Sequence, residues 1–179
     1  MRHSGNIFIR TGKLLVNDGQ LLTNTNRPSG SNTLPIPIIT GSIEAHADSV
    51  VLNKATINAS LFNRIYSARA GNIDFTDIGN LTATDSTITA ASVDGDTGHI
   101  TIGSPTTSSI ILANTDIDVT RDTTNTISDI GIIRLTGNSI ELNNTSLAAH
   151  AFSSGSGGNI QINGHDINVS RSLLAAKDL

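Results

Sequence analysis

The sequence predicts an all-β fold, a right-handed parallel β-helix (solenoid) of about six rungs with three short strands each, spanning residues 1–179 as one domain. Three observations carry that expectation. A glycine followed one residue later by Ile-x-apolar recurs along the chain, apolar residues in each short segment alternate with period two, and turn-forming residues end each segment. Period-two alternation is the signature of a strand with one buried face. Self-similarity at roughly 20–50 residues marks units that bury their apolar faces only by stacking on one another.

The rungs begin near Gly5, Gly41, Gly71, Gly98, Gly131 and Gly158, at spacings of 36, 30, 27, 33 and 27 residues. The first strand of each rung opens with Ile7, Ile43, Ile73, Ile100, Ile133 and Ile160. The second is the apolar-x-apolar segment at Leu14, Val50, Leu81, Ile110, Ile140 and Ile167, and the third begins at Leu21, Ile57, Ile88, Ile117, Leu147 and Leu174. Two residues on come Thr23, Ala59, Ala90, Val119, Ala149 and Ala176, whose small size implies a narrow corner of the cross-section. Because side chains alternate across a strand, these positions face one interior and their intervening neighbours face out. Adjacent rungs lie about 4.8 Å apart in such a stack. Handedness follows the rule for parallel strands joined by crossovers.

The corners have matching chemistry. Gly12, Gly79, Gly103, Gly137 and Gly164 separate first from second strands, where positive φ is expected of them. Asn17-Asp18-Gly19, Asn53-Lys54-Ala55, Thr84-Asp85-Ser86, Asn143-Asn144-Thr145 and Ser170-Arg171-Ser172 turn the chain into the third strand. The variable lengths, 24 to 40, 60 to 70, 91 to 97, 120 to 130 and 150 to 157, read as insertions leaving one edge of the coil. Repeat proteins place binding determinants in such insertions.

Composition narrows the function classes. A net charge of −4 with 15% charged residues supplies no basic face for nucleic acid. With no cysteine there is no disulfide framework and no thiolate metal site. No apolar run approaches the roughly 20 residues a membrane-spanning helix needs, and the first residues do not read as a secretory signal. Neither end reads as a polar cap of the kind solenoids require. The expectation is a segment of a longer protein, whose open rungs would associate end to end in isolation.

Gly-Asn-Ile at Gly5, Gly71 and Gly158, the Ser-Gly-Ser-Gly-Gly-Asn run at 154–159, and Asp85-Ser86-Thr87-Ile88-Thr89-Ala90 resemble one family. They are similar to the haemagglutination-activity repeats of filamentous-haemagglutinin-like exoproteins of two-partner secretion systems, of cyanobacterial type. The resemblance covers essentially the whole chain. It implies a structural or adhesive shaft segment of a protein secreted to, or displayed on, the bacterial cell surface. It also implies an outer-membrane secretion partner for the full-length protein and contacts with host or environmental glycan or protein surfaces. The family's amino-terminal secretion domain, with its Asn-Pro-Asn-Gly type motif, is not visible in these residues. An autotransporter passenger segment would share the fold and differ in its secretion route.

Candidate chemistry is sparse. Asp116 and Asp118 flank Ile117, so both face out, roughly 7 Å apart for an i to i+2 pair; that geometry suits the acid and base carboxylates of a polysaccharide-degrading lyase or hydrolase. Arg121 is the nearest basic residue in the chain. Against an enzyme stand the 3% aromatic content and the absence of tryptophan for sugar stacking. Solvated surface carboxylates are the plainer reading, and no cofactor is expected. Asp94 and Asp96 flank Gly95 and could offer oxygens to calcium, although Asp-Gly is more simply a turn. His3, His46, His99, His150 and His165 form no repeated column and read as surface or turn residues. Phe8, Leu15 and Leu22, with Val51 and Ile111, make an outward apolar patch, and the insertion from Asn24 to Thr40 is expected to fold over it.

Overall fold

The computed structural model describes residues 2–24, 38–62, 68–93, 95–121, 130–151 and 157–176. Among them there is no helix, and every strand pairing is parallel. The chain is a β-solenoid. Its third strands, Gln20–Leu22, Thr56–Asn58, Thr87–Thr89, Asp116–Asp118, Ser146–Ala148 and Leu173–Ala175, stack into one six-stranded sheet. First and second strands belong to a single ten-stranded sheet.

That sheet is continuous because the corner expected at Gly12 does not interrupt the chain. Ile7–Asn17 and Ile43–Asn53 are each one strand of 11 residues, spanning what the sequence divides in two. Parity slips instead. Ala47 is buried, Asp48 and Ser49 both point away from the core, and Val50 is buried again, so the strand bends without breaking.

Registration is like on like. Ile43 pairs with Ile7 and Ile73, Ile100 with Ile73 and Ile133, and Ile133 with Ile160. The inward residues between Ile43 and Ala149 are sealed from solvent, forming a single apolar column. Six equivalent rungs were the expectation; the closed solenoid has about four turns. Ile7, Ile9, Leu14 and Leu21 are only partly buried, and Ile167, Val169 and Leu174 are 47%, 44% and 41% exposed. A rung with a neighbour on one side only cannot bury its inward face.

The glycine chemistry differs from expectation. Among the corner glycines only Gly103 has positive φ, at 80°. Apart from Asp77 in a first corner, at φ 51°, the left-handed conformation of non-glycine residues falls on the second corner, at Asp18, Lys54, Asp85, Asn114, Asn144 and Arg171, all within φ 48–50°. An L-residue pays roughly 1–2 kcal/mol there, least for Asn and Asp. What offsets it is a ladder of main-chain bonds: Lys54 N–H donates to Thr84 at 2.9 Å, Asp85 to Ala113 at 3.0 Å and Asn114 to Asn143 at 3.0 Å. The next position is buried and carries hydroxyls, Ser86, Thr115 and Thr145, which satisfy neighbouring carbonyls; Thr145 Oγ1 donates to Leu112 at 3.0 Å.

The insertions also stack where they leave the coil. Single-residue bridges join Leu61, Ser92, Arg121 and Ala151 in one line and Ile39, Arg69 and Asp96 in another. Leu61, Ala68 and Ala70 form a small second core between them. Phe8, Leu15 and Leu22 are 59%, 57% and 42% exposed; residues 25–37 of the insertion expected to fold over them lie outside the described residues.

Candidate functional site

The outward side of the first-strand column gathers the most diverse chemistry. Strand alternation and register place Phe8, Glu44, Asp74, Thr101, Arg134 and Gln161 in a line along the solenoid. Beside it runs a second line, Asn6, Ser42, Asn72, His99 and Ile132, at the entrance to each first strand.

That second line is a hydrogen-bond relay. Ser42 N–H donates to Asn6 Oδ1 at 2.9 Å, Asn72 N–H to Ser42 Oγ at 3.1 Å, His99 N–H to Asn72 Oδ1 at 3.0 Å and Ile132 N–H to His99 Nδ1 at 3.0 Å. Each side chain therefore satisfies the main chain of the next rung. For His99 the bond assigns the ring hydrogen of the neutral imidazole to Nε2.

Asp74 sits between Glu44 and Thr101. Burial holds its carboxyl above the usual carboxylate range, and Glu44 on the neighbouring rung adds to that, while the Thr101 hydroxyl bond and nearby His99 pull the other way. Arg134, exposed on the outward face, donates from Nε to Gln161 Oε1 at 3.0 Å. Asn72, Asp74, His99, Thr101, Ile132 and Arg134 line an open groove of about 260 Å³ crossing three rungs.

One turn earlier, His46 projects from the same face. Its Nε2 lies 2.7 Å from Glu44 Oε1 and its Nδ1 3.4 Å from Asp77 Oδ2. The Phe8 ring rests against the imidazole, centroids 5.6 Å apart and planes tilted by 56°. Two histidines thus belong to an organised face, where the sequence suggested scattered surface positions. The signal available was their parity: Glu44 and His46 both occupy outward positions beside buried Ala45.

Compared with protein-family models, curated proteins and solved structures, the chain matches none.

The carboxylates singled out from the sequence stand elsewhere. Asp116 is exposed and borders a groove of about 300 Å³ with Asn114, Asn144 and Arg171 at the second corner. Asp118 is half-buried, accepts a 2.7 Å bond from Thr120 N–H, and borders a different groove, beside Leu61 and Phe62 at the base of an insertion. They share a strand, and the grooves they border among the described residues are different ones. Arg121 is wholly buried within the insertion stack, so the basic residue bordering the Asp116 groove is Arg171. Asp94 lies outside the described residues; Asp96 is half-buried and its main chain forms a parallel β-bridge with that of Arg69. Among the described residues no three His, Cys, Asp or Glu side chains converge as a metal site.

Proposed function

We propose that the chain is a structural and adhesive shaft segment of a secreted or surface-displayed bacterial exoprotein, of the filamentous-haemagglutinin kind. The observation that carries the reading is the contrast between inside and outside. From Ile43 to Ala149 the inward columns stack apolar on apolar, Phe75 among the aliphatic side chains, while the outward first-strand column changes residue type at every rung, through Glu44, Asp74, Thr101 and Arg134. A rod with a fixed interior and a varied exterior suits extension and many weak contacts rather than one enclosed reaction centre.

On this reading the coil is right-handed, because parallel strands joined by crossovers take that hand, and the two partly open end rungs bring the count to six. The full-length protein passes an outer-membrane secretion partner and meets glycan or protein surfaces of a host or the environment. The separation of Asp116 from Asp118 into two grooves supports this reading over a polysaccharide lyase or hydrolase.

Two measurements test it. Antibodies raised against the chain should label intact cells or the culture medium, and acidic polysaccharides incubated with the chain should release no reducing ends. Labelling confined to lysed cells, or reducing-end release abolished by Asp116→Asn, would sink it.

A further inference from the structure

The geometry points to the groove between Asp74 and Arg134 as a binding site for a neutral saccharide chain lying along the solenoid axis. The inference rests on the adhesive reading above and gives it a location and a ligand class.

Three features select that ligand. The groove crosses three successive rungs, so its occupant is extended and runs perpendicular to the strands. Its polar groups differ in kind: the Asp74 carboxylate accepts, the Thr101 oxygen, whose hydrogen goes to Asp74, also accepts, and the Arg134 fork donates. Carboxylate and guanidinium forks are the groups that pair with two adjacent hydroxyls at once, and Ile132 supplies an apolar patch for the face of a sugar ring.

Charge decides which sugar. Asp74 and Arg134 cancel within the lining. A uronic acid could pair with Arg134 but would be opposed by Asp74, with Glu44 on the next rung behind it; an amino sugar could pair with Asp74 but would be opposed by the Arg134 guanidinium. A neutral unit meets no such opposition. Arg134 is already bonded to Gln161 and the His99 relay ties the main chain of successive rungs. No aromatic ring lines this groove, and it is shallow, so affinity per site should be in the millimolar range, about −4 kcal/mol, with adhesion depending on repeated contacts.

The test is an amide-shift titration of the 15N-labelled 179-residue chain with cellotetraose, mannotetraose, tetragalacturonate and tetraglucosamine, each to about 10 mM. The expected result is saturable shifts at residues 74, 101 and 134 with a neutral tetrasaccharide, weakened at least tenfold in Asp74→Ala and in Arg134→Ala. Both variants alter outward side chains, and circular dichroism checks that they fold. Shifts only with the charged tetrasaccharides, shifts centred elsewhere, or no shift at all overturn the assignment. Adhesion of the chain to polysaccharide-coated beads separates this failure from that of the broader reading. If beads bind wild type and the double variant alike, the site is wrong and the adhesive role stands; if wild type does not bind, the adhesive role falls.

Discussion

Gly98 packs directly on the carbonyl oxygen of Gly71, so closely that a Cβ at position 98 would overlap it. The same relation links Gly41 to Gly5, Gly71 to Gly41 and Gly131 to Gly98. The recurring glycine is therefore a spacing device, since it lets the main chain of successive rungs approach where each first strand begins.

A methyl group separates this role from backbone freedom. Gly98→Ala should destabilise the fold by about 1–3 kcal/mol, the usual cost of overpacking, because the atom it meets is main chain and cannot swing aside. Gly12→Ala should be near neutral, as only the Asp48 carboxylate lies nearby, at 3.6 Å. Urea unfolding of the two variants checks this, and equal midpoints would refute the spacing role.

Neighbouring residues should respond oppositely to the same substitution. Ile110 is fully buried and Ile111 is 37% exposed. Ile110→Lys places an ammonium among aliphatic side chains and should prevent folding. Ile111→Lys faces solvent opposite Glu141 and should change stability by no more than about 0.5 kcal/mol. Circular dichroism of both suffices, and comparable tolerance would overturn the inward and outward assignment.

The second corner offers a stabilising change. Lys54 holds φ 48° with a side chain that has no local reason to favour it. Lys54→Gly should raise stability by up to about 1 kcal/mol as the left-handed strain is relieved. At Asn114 the gain should be smaller or reversed, because its amide donates to Asp85 Oδ1 and its oxygen accepts from Asn144, each at 2.9 Å. Thermal melts of the two glycine variants compare strain with the side-chain ladder.

Asp74 sets a pH dependence. Its carboxyl is raised in the folded chain above the ordinary value of 3.8, so the folded state holds the proton more tightly than the unfolded chain. This group's contribution to stability is therefore fully present below the ordinary carboxylate value and is lost as pH rises through the raised one. Asp74→Asn should melt higher than wild type at neutral pH, and the difference should shrink on acidification. A constant difference from pH 7 to 4 would show that Asp74 carries no raised affinity for protons.

Columns were legible in the sequence because an interior stacked like on like repeats its residues, and Ile7 over Ile43 over Ile73 leaves little freedom of register. Thr23, the one polar residue among the inward positions predicted for the three strands, lies buried and donates to Gly41. Less was legible outside. The outward first-strand positions obey no repeat, so Asp74, Thr101 and Arg134 became a group only when register set them on adjacent rungs. Asp116 and Asp118 misled for the opposite reason: proximity in the chain suggested a shared site, yet one borders a corner and the other an insertion base. The left-handed corner could have been found at Asp18, Asp85, Asn114 and Asn144, residues that tolerate it, but Lys54 and Arg171 in the same column obscured the pattern.

The last rung bears on how the chain behaves alone. Ile167, Val169 and Leu174 continue the apolar columns of the preceding rung yet stand partly open to solvent, and among the described residues the strand Asp166–Ser170 pairs on one side only, with Ser139–Asn143. Unpaired strand edges beside exposed aliphatic side chains recruit other strands. At the opposite end Ile7, Leu14 and Leu21 are partly buried and present the same three-column pattern. The 179-residue chain should accordingly associate end to end as concentration rises, with sedimentation velocity showing elongated multimers. Val169→Lys should shift the distribution toward monomer, since a charge there opposes burial while remaining solvated in the single chain. Multimers that persist unchanged in Val169→Lys would place the contact on another surface, the exposed Phe8, Leu15 and Leu22 face being the first to examine with a Leu15→Lys variant.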